Sequence, residues 1–155
     1  MSISLSSPVS GATITGFTAP TYTVANDTPP NSWSKQWAVT AIGGTQTGVD
    51  TGSAASRPWT LTGYRPQSLK TLNAVDTNGV VRAVGFNTYG VLVRKGLTPL
   101  AGQASKTGQF RGEFSIPAGS DVADQPNVKA AVSFFIGSLS QQSNGIADML
   151  MSGVL

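Results

Sequence analysis

Side chains that commonly do chemistry are scarce in this chain. It has no His and no Cys. That removes imidazole-based triads, imidazole metal sites, thiolate zinc sites and disulfides. The seven acids are dispersed. Asp121 and Asp124 stand close together, but just ahead of a helical pattern, where carboxylates cap and complement a helix N-terminus. A Glu113–Asp pair would serve as glycosidase acid and base only if its surroundings raised one pKa, and they are basic. A Ser–Lys nucleophile has no motif behind it. The Gly-rich stretches match neither a GxxxxGK[ST] loop nor GxGxxG after a strand. The expectation is a non-enzyme with no metal, no cofactor and no small-molecule substrate.

The cations are more informative. Eight of the ten Lys and Arg residues lie between Arg57 and Arg111, against the single acid Asp76. The flanking segments are net acidic, so the overall charge is only +3. A basic middle suits a phosphate-facing surface, although a solvated face with scattered cations would look the same. Strand alternation sharpens the point. In 109–116, Phe110, Phe114 and Ile116 share one face; Gln109, Arg111, Glu113 and Ser115 share the other. In 89–94, Tyr89, Val91 and Val93 oppose Gly90, Leu92 and Arg94. Residues 59–62 split into Trp59 and Leu61 against Thr60 and Thr62. A sheet with one greasy side and one polar, partly basic side can hold RNA, through cations to phosphate and polar groups to unstacked bases.

These residues need a sheet to position them. Short runs rich in Val, Thr, Tyr, Trp and Ile, punctuated by Gly, Pro and Asn, fill the first two-thirds of the chain. The pattern predicts a hairpin of 11–15 with 21–25, then strands at 35–42 (closed by Gly43-Gly44), 59–64, 89–95 and 109–116. Residues 69–86 read as an excursion of two short arms around the turn Asp76-Thr77-Asn78-Gly79. Residues 96–108 read as a loop. After Pro117 the period changes. Val128, Ala131, Val132, Phe135, Ile136 and Leu139 form one helical stripe, with Asp124 as N-cap and Pro126 in the first turn. Residues 141–145 break it. A second helix carries Ile146, Met149 and Leu150 and stops at Gly153. The fold class expected is α+β in a single domain, 1–155, with sheet in 1–117 and helices in 118–155. One such helix is too little to cover five or so strands, so either one sheet face stays wet or a second chain supplies another helix.

Bulk composition agrees. Charged residues make up only 11% of the chain, against about 25% in an average soluble domain. That fits surface meant for other subunits and, equally on composition alone, a weakly charged secreted β-protein. Residues 1–11 lack the basic start and apolar run of a leader. The longest apolar stretch, 130–139, is interrupted and too short to span a membrane.

Several segments then carry a resemblance. Ser7-Pro8-Val9-Ser10-Gly11 through Gly16-Phe17-Thr18-Ala19-Pro20-Thr21-Tyr22 resembles the N-terminus of single-stranded RNA phage coat proteins, the levivirus group. So does Trp37-Ala38-Val39-Thr40-Ala41-Ile42 with the following Gly43-Gly44-Thr45-Gln46-Thr47-Gly48-Val49. Asn87-Thr88-Tyr89 leading into Val93-Arg94-Lys95-Gly96 looks like the strand before that family's inter-dimer loop, with Leu100-Ala101-Gly102-Gln103 inside the loop. Ile116-Pro117-Ala118-Gly119-Ser120-Asp121 and the tail from Gln142-Ser143 to Gly153-Val154-Leu155 complete the set. The likeness runs in order along nearly the whole chain.

The resemblance implies an N-terminal hairpin, a five-stranded antiparallel sheet and two C-terminal helices, in an intertwined homodimer whose sheets join edge to edge. Each chain's helices would lie across the partner through Val128, Ala131, Val132, Phe135, Ile136, Leu139, Ile146, Met149 and Leu150. Dimers would close a quasi-equivalent icosahedral shell in the host bacterial cytoplasm, giving a virion. The loop with Gly96, Pro99, Gly102, Gln103, Lys106 and Gly108 would sit at the symmetry axes. The inner sheet face would bind a hairpin of the single-stranded genomic RNA, for packaging and for translational repression. By strand position the contacts would be Gly90, Leu92, Arg94, Gln109, Arg111, Glu113 and Ser115, with Thr60, Thr62 and Arg65 beside them. Two departures stand out. Gly90 and Leu92 lie where relatives often carry polar or basic groups, and 69–86 is longer than in the best-known members. The alternatives are a dimeric RNA-binding regulator that does not assemble, and a β-rich adhesin module using Trp33, Trp37 and Trp59 as stacking platforms.

Overall fold

The computed structural model describes residues 3–155; Met1 and Ser2, the start of the stretch read above for a leader, lie outside them. Six strands follow one another in sequence and in space: β1 (Val9–Ser10), β2 (Thr18–Asp27), β3 (Ser34–Thr45), β4 (Trp59–Tyr64), β5 (Phe86–Leu97) and β6 (Lys106–Pro117). Every neighbouring pair is antiparallel. Three helices complete the chain: α1 (Ser120–Ala123), α2 (Gln125–Gln141) and α3 (Ser143–Ser152). No helix among the described residues is long and apolar enough to cross a membrane.

The α+β layout of antiparallel sheet and C-terminal helices is as expected, with corrections at the boundaries. The hairpin and five-stranded sheet are one six-stranded sheet, because β2 pairs with β1 on one side and β3 on the other. The hairpin's first arm is Val9–Ser10, not 11–15. Gly11 N donates to Pro20 O at 2.8 Å, but Pro20 has no N–H to return. Ala19 is held at φ 44°, which ends regular pairing there. Gly43-Gly44 does not close β3. A side chain at Gly44, φ 73°, would meet the carbonyls of Thr18 and Ala19, so glycine lets the strand continue past an irregular register. The loop read as 96–108 shrinks to 98–105, since Gly96 pairs with Thr107, Leu97 with Lys106 and Lys95 with Gly108. Both glycines serve close approach: a Cβ at Gly96 would lie 2.6 Å from Arg57 Cα, and one at Gly108 2.6 Å from Leu97 Cδ1.

The helical segment departs less. Pro126 sits in the first turn of α2, and Gly153 ends α3 at φ 71°. Asp124 holds the N-cap position without a capping bond, because its carboxylate accepts from Asn127 Nδ2 at 2.7 Å instead. The break between helices is Gln142 alone, and α3 starts at Ser143.

The packing leaves this chain unusually open. Apart from Pro20 and three glycines, its only buried apolar residues among those described are Trp37, Val39 and Ala118. A compact 15.9 kDa monomer exposes about 7,400 Å², by the usual scaling of surface with mass. This chain exposes 10634 Å². No residue of α2 or α3 is buried. Phe135 packs edge-on against Phe114 of β6, ring centroids 5.3 Å apart, which identifies the helix side of the sheet. At the far end α3 is pinned to the N-terminal turn: Ser143 Oγ donates to Thr13 O at 2.7 Å, and Thr15 N and Oγ1 both donate to Asn144 Oδ1 at 2.8 Å.

Candidate nucleic-acid interface

Residues paired across neighbouring strands share a sheet face. The β4–β5 register pairs Thr60 with Arg94, Thr62 with Leu92 and Tyr64 with Gly90. The β5–β6 register pairs Arg94 with Gln109, Leu92 with Arg111, Gly90 with Glu113 and Thr88 with Ser115. The face opposite the helices therefore gathers Thr60, Thr62, Gly90, Leu92, Arg94, Gln109, Arg111, Glu113 and Ser115. Through β3 the same face takes in Ser34, Gln36 and Ala38.

Arg65 does not join them. It follows Tyr64 past the end of β4, its N donating to Trp33 O at 3.1 Å, and it lines a groove on the helix side. Gly90 offers no contact surface either. It is buried, and the Tyr64 ring occupies the space where its Cβ would stand. Tyr64 takes over that position on the face.

The centre of the face is a hydrogen-bonded network. Arg94 Nη2 donates to Gln36 Oε1 at 2.5 Å and to Thr62 Oγ1 at 3.3 Å. Thr62 Oγ1 donates to Gln36 Oε1 at 2.8 Å. Gln36 Nε2 donates to Asp27 Oδ2 at 2.6 Å. The Gln36 bond, then the Thr28 backbone N–H, hold the Asp27 carboxyl below its ordinary pKa. Gln36, Asp27 and Tyr64 were missed by sequence reasoning. Gln36 alternates with Lys35 and Trp37, so the period-2 pattern of β3 was the signal available for it.

Beside this network lies an open hollow of about 400 Å³, lined among others by Asp27, Gln36, Ala38, Pro58, Thr60 and Arg94. Thr60 Oγ1 and Arg94 Nε are buried against it with no hydrogen-bond partner. Buried polar atoms without partners are uncommon and costly. On the same face Gln109, Arg111, Glu113 and Ser115 are exposed along the edge strand β6, and Ser115 Oγ lies 2.7 Å from Thr88 Oγ1. Among the described residues no group of three His, Cys, Asp or Glu side chains could hold a metal.

The other predicted sets are dispersed differently. Pro99, Gly102 and Gln103 sit in the β5–β6 loop, where Gln103 N donates to Leu100 O at 3.0 Å and Gly102 has φ 80°. Gly96, Lys106 and Gly108 are in the ladder instead. The base of this loop is braced by 46–58: Ser105 Oγ donates to Ser56 O at 2.5 Å, and Gly96 N to Pro58 O at 2.7 Å. Asp50 accepts from Lys95 Nζ and pairs with Arg57 at 3.1 Å. Lys95 also lies 4.7 Å from the centre of the Trp59 ring. The Lys95 bond, then the nearby charges of Lys95 and Arg57, keep the Asp50 carboxyl below its ordinary pKa against some desolvation. Trp37 is buried and Trp59 lies under Lys95, so neither is a free stacking platform.

On the helix side Ile3, Trp33, Lys35, Tyr89, Val91 and Phe114 line an open groove of about 550 Å³. The predicted helix stripe faces a mixed environment: Val128, Val132, Ile146 and Met149 are half-buried, while Ala131, Phe135, Ile136, Leu139 and Leu150 are exposed. Phe134, off the stripe, is 78% exposed, and Met151 is 84% exposed.

No protein-family model matches this chain, and no curated protein does. A solved structure does: the virus-like particle of bacteriophage ESE020 is 52% identical, with 99% of this chain and 100% of that chain covered and a TM-score of 0.96. Identity at that level over full length shows kinship as well as fold. The open apolar surface, the six-stranded sheet with trailing helices and this match agree that the chain belongs to the bacteriophage coat proteins, structural capsid subunits of the virion and not enzymes.

Proposed function

We propose that this chain pairs into homodimers, that the dimers close an icosahedral shell around single-stranded RNA in the bacterial cytoplasm, and that the polar sheet face binds a hairpin of that RNA. The observation that carries the RNA reading is the hollow beside Thr60 and Arg94, with two buried polar atoms lacking partners, on the same face as Arg111 and Gln109. A hollow of this kind suits an unstacked base, and exposed cations suit the phosphates. RNA bound there would mark one molecule for packaging and block its translation.

Three features support the dimer. The β6 edge is twelve residues long and carries no strand on its outer side, ready to pair with a second copy. The helix-side groove is apolar and unfilled. Phe134, Ile136, Leu139 and Leu150 are exposed on the helices. Pairing through β6 would join two sheets into one, with α2 and α3 bearing on the other copy.

Arg111→Ala tests the RNA contact. Affinity for hairpins selected from a random RNA library should fall by about 1.5–3 kcal/mol, the range for a charge-assisted hydrogen bond, with particles intact. The salt dependence should also become shallower, since a cation near phosphate has gone. Unchanged affinity and slope would remove Arg111 from the interface.

A further inference from the structure

The connection between β4 and β5, residues 65–85, joins two adjacent antiparallel strands that a short turn could link. It forms an arm instead. The arm is cross-braced at its base, where Lys70 N donates to Asn87 Oδ1 at 2.8 Å and Asn87 Nδ2 to Lys70 O at 2.9 Å. Midway, Asn73 Nδ2 donates to Ala83 O at 2.8 Å. At the tip, Gly79 N donates to Asp76 O and Asp76 N to Val80 O, both at 2.9 Å, and Arg82 pairs with Asp76 at 2.7 Å. So the arm has a defined shape. Yet Leu69, Leu72, Val75, Val80 and Val84 on it, and Phe86 at its base, are all 40–60% exposed.

We infer that this arm is a contact between dimers in the shell, its apolar side chains covered by another copy of this chain that is not the dimer partner. The inference rests on the shell reading above. Two observations carry it to a second copy. The first is area. The chain exposes roughly 3,000 Å² more than a compact monomer of its mass, and an obligate pair ordinarily buries roughly 1,000–2,500 Å² per chain. One pairing surface of that size leaves exposed area over. The second is the relative. A match over 99% of this chain at a TM-score of 0.96 has to include the arm, which is more than a tenth of its length, so the ESE020 particle subunit carries it too. A closed shell also requires at least one contact besides that of the dimer. The arm leaves the sheet at the end opposite the β5–β6 loop, so β5 would carry an inter-dimer contact at each end.

The test uses the full chain. Val75→Asp combined with Val80→Asp puts charge on the tip, where neither side chain is buried. Dimers should fold and bind RNA as before, and particles should be lost. Separately, Val75→Cys introduces the only thiol in the chain. Maleimide should label it slowly in particles and quickly in dissociated dimers. Normal particles from the Asp variant, or equal labelling in particles and dimers, would overturn the inference. If the Asp variant does not fold, the labelling decides alone. Absence of particles from the unmodified chain would instead overturn the shell reading, and this inference with it.

Discussion

On the helix side of the sheet, Trp33, Tyr89, Val91 and Phe114 surround a groove that none of the described residues fills. On the other side, Asp27, Gln36, Thr62 and Arg94 hold one another in a closed set of bonds, with Thr60 Oγ1 and Arg94 Nε left over at its margin. The two faces are built from the same strands, alternating residue by residue. The difference teaches what each is for. An apolar groove gains most by excluding water against another apolar surface, which is non-directional and scales with area. A polar network already mostly satisfied gains only from a ligand placed to meet its remaining atoms.

The largest effect expected is at the apolar side. Phe135→Asp places a charge where Phe135 stacks on Phe114. Phe135 is exposed in the single chain, so the cost falls on a dimer that covers it: burying a Phe side chain there is worth about 1.5–3 kcal/mol, an unpaired charge adds to the loss, and the soluble dimer should disappear in sedimentation experiments. A dimer of normal stability would mean that this face meets no second chain.

A smaller change tests the charged end of the same face. Asp50→Asn breaks the pairing with Lys95, whose side chain is 14% exposed, and with Arg57. Unfolding free energy should fall by about 1–2 kcal/mol at neutral pH. The sign with pH follows from the lowered carboxyl pKa. The contribution is fully present above the ordinary value of 3.8 and is lost as pH falls through the lower folded value. The gap between wild type and variant should therefore close in acid and stay constant from pH 5 upward.

The smallest effect sharpens the comparison most, because stability and binding should move in opposite directions. Thr60→Val keeps the shape and removes the unpartnered hydroxyl. The folded chain should gain up to about 1 kcal/mol, while RNA affinity falls by a similar amount. A loss of stability would show that the hydroxyl already has a partner.

Much of this was legible beforehand, where period and composition suffice. Alternation in β4, β5 and β6 put Thr60, Thr62, Arg94 and Arg111 on one face without knowledge of any partner strand. The stripe through Val128 and Phe135 marked α2 for the same reason. What escaped depends on cross-strand neighbours. Gly90 read as an RNA contact by strand position, but its partner Tyr64 lies over it. Asp27 reaches Gln36 only through a β2–β3 register that shifts between Thr18 and Thr21 and again between Thr23 and Val24. No local pattern encodes those shifts. Gly96 and Gly108 read as loop residues, whereas they admit Arg57 and Leu97 close to the ladder. The arm's turn at Asp76 was visible, but its brace through Asn73 and Ala83 was not.

The central claim is that copies of this chain close a shell around RNA. Negative-stain electron microscopy of the chain expressed alone in bacteria, with nucleic acid extracted from the same sucrose-gradient fraction, tests it most directly. The expected result is uniform closed particles that contain RNA. Free dimers alone, across a range of salt and with RNA added, would contradict it.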